Sequence, residues 1–250
     1  KAEKLIIEEN KRLLELDELR KELITRISHE LRTPLTSVYG ISQFLLSKSI
    51  VSTLSEDIKP YLDISHRGIL RLKELVENLL DASRLDTKKL ELRYEEVNLK
   101  ELVIGCVKEL MFLATSRELT IKLDLSNDLY YNGDKNRLSQ SIINLVSNSI
   151  KNTTSGGKIY IKLEDSPNFI DIIVEDTGIG ITKEEKQKLF QKFGKIERYG
   201  QDFDVDIEGA GLGLYISKEI VQLHGGKILM ESEGRNKGAK FTIRLFKKIN

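Results

Sequence analysis

Cysteine is almost missing from this chain of 250 residues: there is one, Cys106. A lone thiol excludes an internal disulfide and a multi-cysteine metal site, and its ordinary place is in a core, as a small hydrophobe. Proline is nearly as scarce, with three residues, at positions 34, 60 and 167. No run approaches the roughly 18 apolar residues of a membrane span, and no signal peptide is visible. Neither sign of charge dominates, with 40 Lys and Arg against 39 Asp and Glu and a formal charge of +1. That balance removes the electrostatic ground for binding nucleic acid or an anionic membrane surface. What remains, 40% hydrophobic and 32% charged residues, describes a soluble chain of one large domain or two ordinary ones, expected in the cytoplasm. Because the sequence starts at Lys1 and is helical in character from there, an upstream segment is expected, and with it the one expected route to a membrane anchor.

The first third is patterned for helices. Apolar residues recur every three or four positions through Leu13, Leu16, Leu19, Leu23, Ile27, Leu31, Leu35, Val38, Ile41 and Leu45, which predicts one helix from about Leu5 to Leu46. At ~1.5 Å per residue it would run roughly 60 Å, too long for one compact core to cover. After a polar break, a second stripe follows through Ile58, Leu62, Ile69, Leu72, Val76, Leu79 and Leu85. The two make an all-α helical hairpin. One hairpin buries such stripes poorly, whereas two related by a twofold axis enclose a four-helix bundle, so a homodimer is expected. Residues 1–20 read as a coiled-coil helix or linker, 21–90 as the hairpin and 91–250 as a second domain of α+β class. There "KIYIKLE" and "FIDIIVED" alternate around "DSPN" and read as a hairpin, and "KILMESE" with "KFTIRLF" gives a second strand pair. "NLKE" at 98–101 and "TKEE" at 182–185 each place a capping residue three before Glu, marking helix starts.

Three stretches of the second domain carry chemistry. In "NLVSNSIKN", 144–152, Asn144, Asn148 and Lys151 fall on one helical face, where amides and an amine suit an anion with a metal. In "DTGIGI", 176–181, Asp176 ends an apolar strand and glycines let backbone approach a ligand; its carboxylate can accept a hydrogen bond from an exocyclic amine such as that of adenine. "GAGLGLYISKEIV", 209–221, leads glycines into a helix, whose free N–H groups hold phosphates. Each stretch alone is weak. Rival nucleotide signatures are absent: there is no G-x-x-x-x-G-K-[ST], no H-R-D or D-F-G set, and no βαβ series before the glycines.

"SHELRTPL", "NLVSNSIKN", "DTGIG", "FQKF" at 190–193 and "GAGLGL" together resemble the five sequence boxes of sensor histidine kinases, in that family's order and approximate spacing. The resemblance covers about residue 20 to the C-terminus. It implies a dimeric phosphotransfer hairpin followed by a Bergerat-type ATP-binding sandwich. It also implies ATP and Mg²⁺ as cofactors and the receiver domain of a response regulator as partner. By the resemblance, Asn148 is the Mg²⁺ ligand, Asn144 its companion and Lys151 a phosphate contact. Asp176 reads adenine, with Gly178 and Gly180 lining the base. Gly209, Gly211 and Gly213, with Leu212 between them, match the hinge of a flexible lid over the triphosphate. The polar run 195–208 has no sustained period, as expected of such a lid, and Lys195 and Arg198 within it are expected γ-phosphate contacts. One departure stands out: where the family often has an aromatic residue after the lysine, this chain has Asn152, which puts stacking against the nucleotide in question.

The remaining histidines separate by position. His29 lies two positions from both Ile27 and Leu31, about 160° off the apolar stripe, and so faces water, with Thr33 on the same face. "HELRT" is not a zinc site, since Thr33 replaces the second histidine of H-E-x-x-H. Beside an ATP-binding domain, His29 becomes the expected nucleophile for the γ-phosphoryl group, with Glu30 holding the proton on the other ring nitrogen. Thr33 matches the water-orienting position of E-x-x-T members, which implies a phosphatase activity as well. Pro34 removes the helical hydrogen bond to Glu30 and predisposes the helix to bend there. His66 and His224 are expected to be structural, His224 at a helix end. The alternatives are another ATPase or serine kinase on the same ATP fold, and a dimeric scaffold that merely binds nucleotide.

Overall fold

The structure, a computed structural model, describes residues 9, 31, 34–36, 38–46, 58–125, 128–194 and 211–247. It divides into two compact units, Lys1–Leu90 and Glu91–Asn250. His29, Glu30, Thr33, Lys195, Arg198 and Gly209 lie outside the described residues, as do almost all of the expected coiled-coil helix and the stretch read as a lid.

In the first unit a helical segment at 38–45 ends in a turn at Leu46, and α1 runs over Lys59–Asp86 with Pro60 in its first turn, where its missing N–H costs nothing. The two arms touch through polar and aromatic groups. Ser42 Oγ lies 2.9 Å from His66 Nδ1, and the Tyr39 ring stacks on the imidazole at 5.6 Å between centroids. His66 is therefore a structural residue of the hairpin. Val76 and Leu80 are buried, but Val38, Ile41, Phe44, Ile64 and Leu72 remain exposed on the single chain.

The second unit is built on a mixed sheet. Its elements are β1 (Glu95–Asn98), α2 (Leu99–Ser116), β2 (Thr120–Asp124), β3 (Tyr130–Gly133), α3 (Lys135–Lys151), β4 (Lys158–Asp165), β5 (Phe169–Asp176), α4 (Lys183–Lys186), α5 (Gly213–Leu223), β6 (Lys227–Glu231) and β7 (Ala239–Phe246). Five strands stand in the order β2-β4-β5-β7-β6, and β1 pairs with β3 in a separate two-stranded ribbon. Only β2 and β4 run parallel; the other pairs in the large sheet are antiparallel. The β4–β5 hairpin is closed by Ser166 N–H donating to the Phe169 carbonyl at 2.9 Å.

Alternation decides which sheet face is covered. Ile159, Ile161 and Leu163 of β4, Ile170, Ile172 and Val174 of β5, and Phe241, Ile243 and Leu245 of β7 point to one side. They form one core with Val103 and Val107 of α2 and with Leu138, Ile142, Leu145 and Ile150 of α3, whose spacing puts them on one helical stripe. Cys106 is buried there as a free thiol. Asn98, Asp134 and Thr182 cap α2, α3 and α4, Thr182 in a full capping box with Glu185. The opposite face of the sheet is polar. There Arg244 forms a bidentate pair with the buried Asp171, at 2.9 and 2.7 Å, while its guanidinium lies 3.7 Å over the Phe169 ring. Among the described residues no helix is long and apolar enough to cross a membrane.

Candidate functional site

The core stripe of α3 fixes where its polar residues must go. With Leu145, Val146 and Ile150 turned into the core, Asn144, Asn148 and Lys151 emerge half-buried at its edge. Asn144 Nδ2 donates to Ser217 Oγ of α5 at 2.9 Å, and Asn148 Nδ2 donates to Asn144 Oδ1 at 3.4 Å. Asn152 is the C-cap of α3, and its Nδ2 donates to the Asn148 carbonyl at 2.7 Å. Its side chain is thus used to end the helix, and its own carbonyl accepts from Ile179 N–H at 3.0 Å.

Asp176, at the last position of β5, is 6% exposed. Its Oδ1 accepts from Gly178 N–H at 2.9 Å and Ala239 N–H at 3.2 Å. Burial pushes the carboxyl up to about 6, against the lowering effect of those N–H groups and the neighbouring Ser149 hydroxyl. Ser149 Oγ is itself buried and, apart from its approach to that carboxyl, in hydrogen-bond geometry with no group among the described residues. A carboxylate and a hydroxyl, both shut away from water and incompletely satisfied, mark a place where a polar ligand supplies what the protein does not.

The loop after Asp176 is held by the β6–β7 turn. A Cβ on Gly178 would stand 2.2 Å from the Asn152 carbonyl oxygen, and one on Gly180, whose φ is +67°, 1.9 Å from the Gly234 carbonyl oxygen. Glycine is required at both positions because backbone packs on backbone. Gly238 N–H donates to the Gly178 carbonyl and Asn236 N–H to that of Ile179. Ser232 Oγ accepts from Ile181 N–H at 3.0 Å, and Arg235 pairs with Glu185 while reaching the Gly180 carbonyl. The sequence reading missed Ser149, Ser232, Arg235, Gly238 and Ala239. Ser149 lies within "NLVSNSIKN", and for the turn residues the local signal was "RNKGAK", a glycine-bearing turn directly before the last strand.

Leu212 is fully buried, and α5 starts at Gly213, where a Cβ would stand 2.3 Å from Asn144 Oδ1. Gly211, with φ at +69°, lies against the Phe193 and Gly194 backbone. At the far end of α5, His224 is the C-cap. Its Nδ1 lies 2.8 Å from the Ile220 carbonyl, and Nε2 accepts from Asp134 N–H at 2.9 Å. The ring is therefore a neutral Nδ1–H tautomer, and burial lowers its pKa. Burial also works against the Asp134 carboxylate, but the N–H groups of Arg93, Arg137 and Asn136, with the Arg137 charge, outweigh it and hold its pKa below the ordinary range. The contacts Asn144–Ser217 and Asp134–His224 run in opposite residue order, so α3 and α5 lie antiparallel.

Among the described residues no group of three or more His, Cys, Asp and Glu could hold a metal ion. A hard cation here would take few protein oxygens and the rest from ligand phosphates and water, the usual habit of Mg²⁺.

Two family models match the chain. Residues 19–88 match the His Kinase A (phospho-acceptor) domain, and residues 133–249 the Histidine kinase-, DNA gyrase B-, and HSP90-like ATPase. The circadian input-output histidine kinase CikA of Synechococcus elongatus is 35% identical over 230 residues, covering 89% of this chain and 29% of that protein. A solved catalytic domain of histidine kinase ThkA is 31% identical, covering 62% of this chain and 98% of that one, with a TM-score of 0.54. Histidine kinase ThkA solved in complex with the response regulator protein TrrA is 29% identical, covering 97% of this chain and 66% of that one, with a TM-score of 0.61. The chain spans from 15% to 48% of the length of the curated relatives compared. The two family models, in that order along the chain, and a relative 35% identical over 89% of it leave one assignment: the chain belongs to the sensor histidine kinases and is a catalytic core of that family.

Proposed function

We propose that the chain transfers the γ-phosphoryl group of ATP to His29 and then to an aspartate on the receiver domain of a response regulator. The observation that carries this is the buried Asp176 beside the buried Ser149 hydroxyl of α3. That pair fits the amine edge of a purine, while Gly178 and Gly180 seat the loop beside it on the Asn152 and Gly234 backbone rather than on the base. Asn148 and Lys151, on the same helix, fit a metal-bound triphosphate. Mg²⁺ held by Asn148 would neutralise phosphate charge. Asn152 contributes a helix cap in place of an aromatic face, so base recognition here leans on Asp176.

Residues 91–250 are the nucleotide-binding domain of this reading and residues 21–90 the dimerisation and phosphotransfer domain, with 1–20 as the signalling helix. In the transfer, an imidazole nitrogen of His29 attacks phosphorus in line, the N–P bond forms as the bond to the β-phosphate oxygen breaks, and ADP leaves. Glu30 holds the proton on the other ring nitrogen, and positioning supplies most of the rate. The exposed Val38, Ile41, Phe44, Ile64 and Leu72 support a homodimer, since a second copy would cover them. The ThkA–TrrA complex supports the receiver partner. Thr33 supports a phosphatase activity on that partner, by orienting water. Incubation with Mg²⁺ and γ-labelled ATP is expected to give an acid-labile, base-stable label mapping to His29 and absent from His29→Gln. Label retained in that variant, or stable to acid, would instead favour a serine kinase on the same fold.

A further inference from the structure

We propose that Ser217 is a positioning residue for the metal-holding asparagine: a relay from Ser217 through Asn144 fixes which way the Asn148 amide points. The inference rests on the reading of Asn148 as the Mg²⁺ ligand. An asparagine amide has a donor end and an acceptor end of nearly the same shape, and only the oxygen serves a hard cation. Asn144 sorts the two ends. Asn148 Nδ2 donates to Asn144 Oδ1 at 3.4 Å, which turns Asn148 Oδ1 away from that contact and leaves it as the acceptor. With Asn144 Nδ2 donating to Ser217 Oγ at 2.9 Å, the hydroxyl serves as acceptor and the Asn144 oxygen is left for Asn148. Flipping Asn144 would set donor against donor at Asn148.

The Ser217 end of the relay is shielded. Ser217 is 1% exposed, so water does not compete for its hydroxyl. Gly213 closes the other side, where even a methyl group would stand 2.3 Å from Asn144 Oδ1. Asn144 is thereby engaged at both ends of its amide and acts between two helices. Its contribution to nucleotide binding passes through Asn148. Outer partners that orient a ligand in this way commonly decide metal affinity without touching the metal.

The test is equilibrium binding of AMPPNP to the whole chain, titrated with Mg²⁺ and repeated with Mg²⁺ removed. Ser217→Ala is expected to raise the Mg²⁺ concentration for half-maximal tightening about tenfold and to leave metal-free binding unchanged. Ser217→Thr, which keeps the hydroxyl, is expected to keep the original Mg²⁺ requirement. The side-chain amide resonances of Asn148 in the metal-free chain are expected to shift in the alanine variant alone. An unchanged Mg²⁺ requirement in Ser217→Ala would overturn the relay, as would an equal loss of metal-free binding, which would make Ser217 a packing residue. Asn148→Ala separates the two layers: if Mg²⁺ still tightens AMPPNP binding in that variant, the metal-ligand reading itself fails.

Discussion

Replacing Asp176 by Asn is expected to stabilise the nucleotide-free fold while destroying its use. The carboxyl has an ordinary value of 3.8 and is pushed up to about 6 by burial. Holding it ionised in the folded state therefore costs about 3 kcal/mol at neutral pH, at about 1.4 kcal/mol per pH unit of displacement. A raised carboxyl favours the fold most when protonated. Its contribution is complete below about pH 4 and is lost as pH rises through about 6. Asparagine is neutral throughout and keeps an oxygen for the Gly178 and Ala239 N–H groups, so Asp176→Asn should gain roughly 1–3 kcal/mol at neutral pH. The gain should shrink toward zero by about pH 4. Hydrogen exchange of the Ile172 to Val174 amides, in the middle of β5, reads this unit without the helical one. ATP binding by calorimetry should fall about 100-fold, because a donor now faces the adenine amine where an anionic acceptor stood. A difference between the two proteins that is flat with pH, or an asparagine variant less stable at neutral pH, would refute the account of Asp176 as a strained, ligand-directed carboxylate.

The lowered pKa of His224 has the opposite sign: its neutral form favours the fold, so its contribution is present above about pH 6.5 and is lost as pH falls through the lower folded value. In His224→Gln the acid-side part of the stability profile between those values should flatten, as followed by urea unfolding across pH. Gly178→Ala drives a methyl to 2.2 Å from the Asn152 carbonyl oxygen and should cost about 2 kcal/mol or more along with nucleotide binding. Gly105→Ala, in α2 with nothing within 4 Å, should instead gain about 1 kcal/mol by thermal melting. Arg244→Met strands the buried Asp171 and should cost about 3 kcal/mol. Adding Asp171→Leu should recover most of that loss, and a double variant no more stable than Arg244→Met would count against the pair.

The long-period features were legible in the sequence. β4 alternates cleanly, β5 is a nearly continuous buried run of strand length, and the caps at Asn98 and Thr182 are local chemistry, so hairpin and helix starts follow from a few adjacent residues. The β1–β3 ribbon was not legible: its strands have four residues each and little buried patterning. Nor was the parallel β2–β4 pairing, since nothing within β2 encodes its neighbour. In the site, the motif residues Asn148 and Asp176 stood out, whereas their supports did not. Ala239 is 63 positions from Asp176 and Ser217 is 73 from Asn144, and contacts at such separation leave no local periodic trace.

The polypeptide's lead-in to the second unit is tied to the base of the helix pair. Arg93 N–H donates to Asp134 at the start of α3 at 2.9 Å, and Tyr94 Oη donates to the Leu223 carbonyl at the end of α5 while its ring meets His224. One short stretch of backbone thus grips both helices at their closed end, ten residues and roughly 15 Å from Asn144. The start of α3 and the end of α5 are thereby fastened to each other twice, by the Asp134–His224 contact and by the strand entry at Arg93 and Tyr94, so neither helix end can shift without disturbing the other.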